Sequence, residues 1–129
     1  MYKININKLP AGSKLVEDRS EYSESNSTFG VTWSLAFDTY VDSGGNNITQ
    51  FRIVYQARCA NGLGWGIEVR DDAGNTLYHN DGTNTTYQTF DSGWISFGST
   101  TKLKVYVGAY SDGEVTEYGY IRYTRIYVR

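Results

Sequence analysis

Trp94, Tyr106, Tyr110 and Tyr40 are large aromatic residues at positions where a β-strand should meet water. Parity places them there. In "WISF" Ile95 and Phe97 take the inner face and leave Trp94 outside, and in "KLKVYVGAY" Leu103, Val105, Val107 and Ala109 point inward and leave Tyr106 and Tyr110 outside. An exposed ring of this kind stacks on the apolar face of a sugar, while Arg52, Gln56 and Arg58, outward on "FRIVYQARC", could hydrogen-bond hydroxyl groups. The same residue types suit a protein interface, which favours Trp, Tyr and Arg, and single tyrosines on a sheet also serve as plain cross-strand pairs. All three uses stay open.

Catalysis finds little support. There is one histidine, His79, beside the turn-like "NDG", where it reads as a surface strand-end residue; no G-x-S-x-G elbow is present, and the carboxylates fall mostly in turns. Glu68 and Asp91 could meet across space as a glycosidase pair, though no spacing selects them. The expectation is a non-enzyme. Hard oxygen ligands for a structural calcium exist at "DSGGNN" (Asp42, Asn46, Asn47) and "RDDAGN" (Asp71, Asp72, Asn75), but turn chemistry explains both, so no cofactor is expected. Cys59 is the only cysteine and reads as a small buried hydrophobe, unable to form an intrachain disulfide or, with one histidine, a zinc site. Sequons at Asn26, Asn47 and Asn84 read as chance matches in a chain rich in Asn, Ser and Thr.

The elements that must hold these side chains are strands. Residues 1–129 have the length of one domain with one core, and the net charge of −2, with 12 scattered basic residues, leaves no footprint for nucleic acid. No apolar run reaches the ~20 residues of a membrane span, and "MYKININKLP" alternates where a signal peptide would be continuously apolar. Twelve tyrosines among Gly, Ser, Thr and Asn make strand-and-turn composition. "VTWSLAFDTYV" reads as a half-buried strand with Val31, Trp33, Leu35, Phe37 and Val41 inward, which makes Trp33 a core residue. In "NGLGWGIEVRDDAGN" Trp65, Ile67 and Val69 alternate with Gly66, Glu68 and Arg70 before a tight turn, so the glycines bend the chain into a hairpin and no helix follows to cradle a phosphate. The apolar parity of "YGYIRYTRIYVR" slips after Tyr123, predicting a β-bulge near Thr124 and Arg125, and "EDRSEYSESNST" reads as a solvated loop. About eight strands result, in an antiparallel sandwich or jelly roll.

From Gln50 to Val128 the order of features resembles that of jelly-roll carbohydrate-binding modules of the galactose-binding-like kind: "FRIVYQAR", the hairpin "IEVRDDAGNTLY", the pair "TTYQTFDSGWISFGSTTKLKVYVGAY" and the closing strand "YGYIRYTRIYV". Arg122 and Thr124 stand where many such modules close with Ile-Asp-Asp. Viral structural proteins use the same sandwich. Two expectations follow. The leading one is a non-catalytic building block of an assembly, such as a virion capsid or decoration protein or a fibre subunit, at a virion or extracellular surface. It would self-associate or join other structural subunits, with "KININKL" either pairing within its own sandwich or adding, through Ile4 and Ile6, to a neighbour's sheet edge. The other is a carbohydrate-binding module that stacks glycans on Trp94, Tyr106 and Tyr110.

Overall fold

The computed structural model describes residues 12–41, 48–98, 100 and 102–129. The proposed exchange residues Ile4 and Ile6, and the turn residues Asp42, Asn46 and Asn47, lie outside the described residues. Ten strands follow in chain order: β1 (Lys14–Arg19), β2 (Ser23–Ser27), β3 (Gly30–Tyr40), β4 (Gln50–Cys59), β5 (Trp65–Arg70), β6 (Thr76–Gly82), β7 (Gln88–Asp91), β8 (Ile95–Ser96), β9 (Lys102–Ser111) and β10 (Glu117–Val128). They form a six-stranded sheet, β1-β10-β4-β7 with β2 beside β10 and β8 beside β4, and a four-stranded sheet, β3-β9-β5-β6. All pairings are antiparallel, as the alternating sequence requires.

The inner faces follow the expected parity closely. Phe51, Ile53, Tyr55, Ala57 and Cys59 of β4 meet Trp65, Ile67 and Val69 of β5 and Leu103, Val105 and Val107 of β9 in one cluster, with Ile121, Ile126 and Val128 of β10. Two polar groups inside it are satisfied: the Tyr55 hydroxyl by Tyr78 and Asn80, and the Trp65 indole N–H by the Asn84 side chain at 2.8 Å. The Asn84 amide also donates to the carbonyls of Ala57 and Thr86, so both its N–H groups and its oxygen are engaged inside the fold. At one end the sheets nearly touch. A Cβ at Gly119 of β10 would lie 2.0 Å from the carbonyl oxygen of Gly108 on β9, a backbone atom that cannot swing aside. Gly119→Ala is therefore expected to lower stability by about 3 kcal/mol, read as a fall in the urea midpoint; a midpoint equal to that of the parent would refute this close approach.

Three sequence expectations are corrected. Most of "EDRSEYSESNST" forms strands, not a loop: in β2 Ser25 and Ser27 turn inward, and their hydroxyls donate to the carbonyls of Thr32 and Gly30. Small hydroxyl residues replace the apolar ones a periodicity search looks for, and the strand count rises to ten. In β3 the register shifts between Leu35 and Phe37, so one extra residue flips the parity. Phe37 and Val41 are buried as expected, but Val31 and Leu35 are 56% and 54% exposed, and Trp33 lies on the outer face and not in the core. The third concerns Tyr123, which shares the apolar parity of Ile121 in the sequence and would on that parity point inward. The expected bulge in β10 is present, between Arg122 and Arg125, and it turns Tyr123 outward with a φ of 48° while Thr124 is buried.

Candidate functional site

The outer face of the four-stranded sheet is organised in cross-strand rows. One runs Trp33–Gly108–Gly66–Asp81 across β3, β9, β5 and β6, and the next runs Leu35–Tyr106–Glu68–His79. Glycines beside a tryptophan create a groove. A Cβ at Gly66 or at Gly108 would come within 2.7 Å of the Trp33 ring, so the indole rests directly on the backbone of two neighbouring strands. Tyr110 packs in the same way over Gly64, where an added Cβ would meet the Tyr110 Cβ at 3.3 Å. The resulting cavity, about 270 Å³, is lined by Val31, Trp33, Gly66, His79, Asp81 and Tyr110 among others. It suits a short, flat ligand better than a bulky one, since small-molecule clefts begin near ~300 Å³.

Polar groups converge along one side. His79 sets its Nδ1 3.0 Å from Glu68 and its Nε2 3.1 Å from Asp81, and its ring meets that of Trp33 edge-on at 5.9 Å. Burial works against a charged imidazole, but the two carboxylate hydrogen bonds outweigh it and hold the His79 pKa above its ordinary value. Burial likewise works against ionised Glu68, yet Arg70 and His79 win and keep its pKa low. Arg70 lies 4.0 Å over the Tyr106 ring and 5.9 Å from the centre of Trp33, so it caps the tyrosine and only borders the indole. The open aromatic surface is Trp33 with Tyr110.

Two local structures hold this face in shape. The β5–β6 turn is tied by Asp71, whose carboxylate accepts from the backbone N–H of Ala73 and Asn75 and from the Asn75 amide, with Gly74 at a φ of 85°. That accounts for Asp71 through turn chemistry. Among the described residues no three His, Cys, Asp or Glu side chains gather as a metal would require. The second structure is the loop from Ala60 to Gly64, which carries the groove residues Leu63 and Gly64. It wraps the fully buried carboxylate of Glu117, which accepts backbone N–H bonds from Ala60, Asn61, Leu63 and Tyr118 at 2.7–3.1 Å.

The residues singled out in the sequence are divided between two sides of the molecule. Tyr106 and Tyr110 stand on the four-stranded sheet, Tyr110 in the groove; Tyr40 is exposed at the far end of β3, 5.9 Å from the Lys102 ammonium. Arg52, Gln56 and Arg58 are outward on β4, in the opposite sheet, and cannot act on a ligand that Tyr110 holds. Trp94 belongs to that second sheet's border, with the Arg129 guanidinium 4.2 Å over its ring. Glu68 and Asp91 are likewise on opposite faces, and Asp91 is clamped by both ends of the Arg52 guanidinium, which hold its pKa below the usual carboxylate value. No glycosidase pair is assembled from them. Trp33 escaped the sequence reading because the β3 bulge hides inside an unbroken apolar alternation, and His79, expected at a strand end, lies in the middle of β6 opposite Glu68. Outward glycines in mid-strand, Gly66 and Gly108, were the available signal.

No family model matches this chain, and no curated protein does. Solved structures match in fold. A family-61 carbohydrate-binding module (TmCBM61), solved in complex with β-1,4-galactotriose, has a TM-score of 0.51 at 12% identity, covering 84% of this chain and 89% of the other. The CBM36-1 domain of a multidomain xylanase from the hindgut metagenome of Trinervitermes trinervoides has a TM-score of 0.52 at 6% identity, covering 92% and 97%. The structure of infectious bursal disease virus, Gx strain, has a TM-score of 0.47 at 15% identity, covering 90% of this chain and 30% of that one. The fold therefore defines the chain as an antiparallel β-sandwich of the architecture on which carbohydrate-binding modules are built. Among the described residues no helix is long and apolar enough to cross a membrane.

Proposed function

We propose that this protein is a non-catalytic carbohydrate-binding module that holds a β-linked oligosaccharide in the groove of its four-stranded sheet. The observation that carries this reading is Trp33 seated on Gly66 and Gly108, where no larger residue fits, beside Asp81 and His79. A sugar ring offers an apolar face to an indole and equatorial hydroxyls to flanking polar groups, and the groove provides both in one place. The modules that share the fold support the ligand class, since one was solved with β-1,4-galactotriose and the other belongs to a xylanase. Screening against β-1,4-linked galacto- and xylo-oligosaccharides tests the reading. Binding that disappears in Trp33→Ala supports it, and silence across both series with folded protein overturns it.

A second reading, a structural subunit of an assembly at a virion or extracellular surface, is favoured by one feature. Phe29 is 79% exposed, and Val31 and Val115, also exposed, lie near it because Ser111 bonds to the carbonyls of both Thr28 and Val115 and pairs with Gly30. Apolar residues this exposed suit a protein contact. If they form one, light scattering over a range of concentrations will show an oligomer that Phe29→Ser with Val115→Ser dissociates. A monomer at every concentration removes self-association and leaves the glycan module beside a subunit that joins other structural proteins.

A further inference from the structure

The outer face of the six-stranded sheet carries a set of side chains that the groove does not use. Five of them alternate in type: the Arg58 guanidinium lies 4.4 Å from the Tyr120 ring and 5.2 Å from Tyr87, and Arg122 lies 3.7 Å from Tyr87 and 4.9 Å from Tyr123. Tyr87 thus sits between two cations. Three arginines elsewhere meet carboxylates, Arg19 with Glu17, Arg52 with Asp91 and Arg70 with Glu68, while Arg129 stacks on Trp94 and donates to Gln50. Arg58 and Arg122 have no carboxylate partner among the described residues, although the acidic residues of the chain outnumber the basic ones by 14 to 12. Stacking holds both guanidinium planes, and Arg122 is further fixed by donating its Nε–H to Gln56 at 2.8 Å, which leaves its terminal N–H groups for an acceptor.

Beside this ladder the β10 bulge opens a cavity of about 360 Å³, lined by Val54, Tyr55, Gln56, Thr89, Tyr123 and Arg125. Tyr123 borders it in a left-handed conformation that costs a non-glycine residue energy, and bulges commonly re-aim a side chain beside a binding site. Neutral hydrogen-bonding groups, an aromatic wall and two guanidiniums without carboxylate partners together describe a receptor for a polyhydroxylated anion.

We propose that this face is a separate site for an acidic oligosaccharide, whose carboxylates pair with Arg58 and Arg122 while a sugar ring enters the cavity between Gln56 and Tyr123. The site is independent of the groove on the other sheet and does not rest on the groove's being a glycan site. Three guanidiniums, counting Arg125 in the cavity wall, are too few to track a nucleic acid backbone, which needs a charge at each of many phosphates.

Calorimetric titration with trigalacturonic acid, its methyl ester and oligo-dT, each at low salt, tests the proposal. The acid is expected to bind, the ester at least about tenfold more weakly, and Arg58→Gln and Arg122→Gln each to weaken the acid about tenfold, as loss of a charge-assisted hydrogen bond does. Arg58 makes no side-chain hydrogen bond among the described residues, so its replacement removes charge and ring stacking but breaks no hydrogen bond, and keeps the test open should Arg122→Gln fail to fold. Trp33→Ala, on the opposite sheet, should leave the acid's affinity unchanged. No binding of the acid, equal binding of acid and ester, tighter binding of oligo-dT, indifference to both arginines, or loss in Trp33→Ala would each overturn it.

Discussion

Trp33→Ala is expected to weaken oligosaccharide binding about 30-fold or more, because a central aromatic anchor commonly contributes ~2 kcal/mol and each ~1.4 kcal/mol is a factor of ten. The ring covers the glycine floor of the groove, and alanine would leave bare backbone at Gly66 and Gly108 with only the Tyr110 ring open for a sugar to stack on. Gly108→Ala is the complementary change. Its methyl would occupy the space of the indole, 2.7 Å from the nearest ring atom, and push Trp33 off the sheet, so binding should fall although every polar group is retained. Calorimetry with a β-1,4-linked trisaccharide reads both variants, and near-UV circular dichroism confirms that each keeps its fold. Full affinity in Trp33→Ala would remove the groove as the binding site.

The second large effect lies away from any ligand. Glu117→Ala is expected to destabilise the protein by about 4 kcal/mol, since backbone N–H groups of Asn61, Leu63 and Tyr118 would lose a charged acceptor in a buried setting. Burial pushes the carboxyl pKa up, but the backbone N–H bonds, led by that of Leu63, outweigh it, and the folded pKa lies below the ordinary 4.5. The sign follows from linkage. A carboxylate with a depressed folded pKa contributes stability that is complete above the unfolded pKa and is lost as pH falls through the folded one. Urea midpoints measured from pH 6 downward should therefore show the gap between the parent and Glu117→Gln as constant above about pH 4.5 and closing below it. A gap that does not change with pH would mean that the charge on Glu117 does not hold the loop. Because that loop carries Leu63 and Gly64, the variant should also bind oligosaccharide more weakly.

Strand identity was legible wherever one face of a strand is apolar. β4, β5 and β9 could be read residue by residue, because their inner sides consist of apolar residues at every second position and water on the other side enforces the alternation. β2 was not legible: burying Ser25 and Ser27 costs little only when carbonyls from a neighbouring segment wait for their hydroxyls, and those carbonyls belong to the far side of a turn. The bulge in β10 left a trace in the slip from Ile121 to Ile126, whereas that in β3 left none, since Leu35, Ala36 and Phe37 are all apolar and either parity reads as a strand.

The sequence by itself determined an all-β sandwich, its core strands, its hairpin at Asp71 and a stock of aromatic and guanidinium side chains on wet faces. Which of those side chains share a face was decided only by tertiary structure. Tyr110 and Arg58 are both outward by parity, yet they stand on opposite sheets, and Trp33 reaches the groove because one inserted residue at Ala36 turns it over. Parity along a strand reports inside against outside, a property set locally by water. The partners across a face are set by strand order and register, which depend on contacts between segments far apart in the chain.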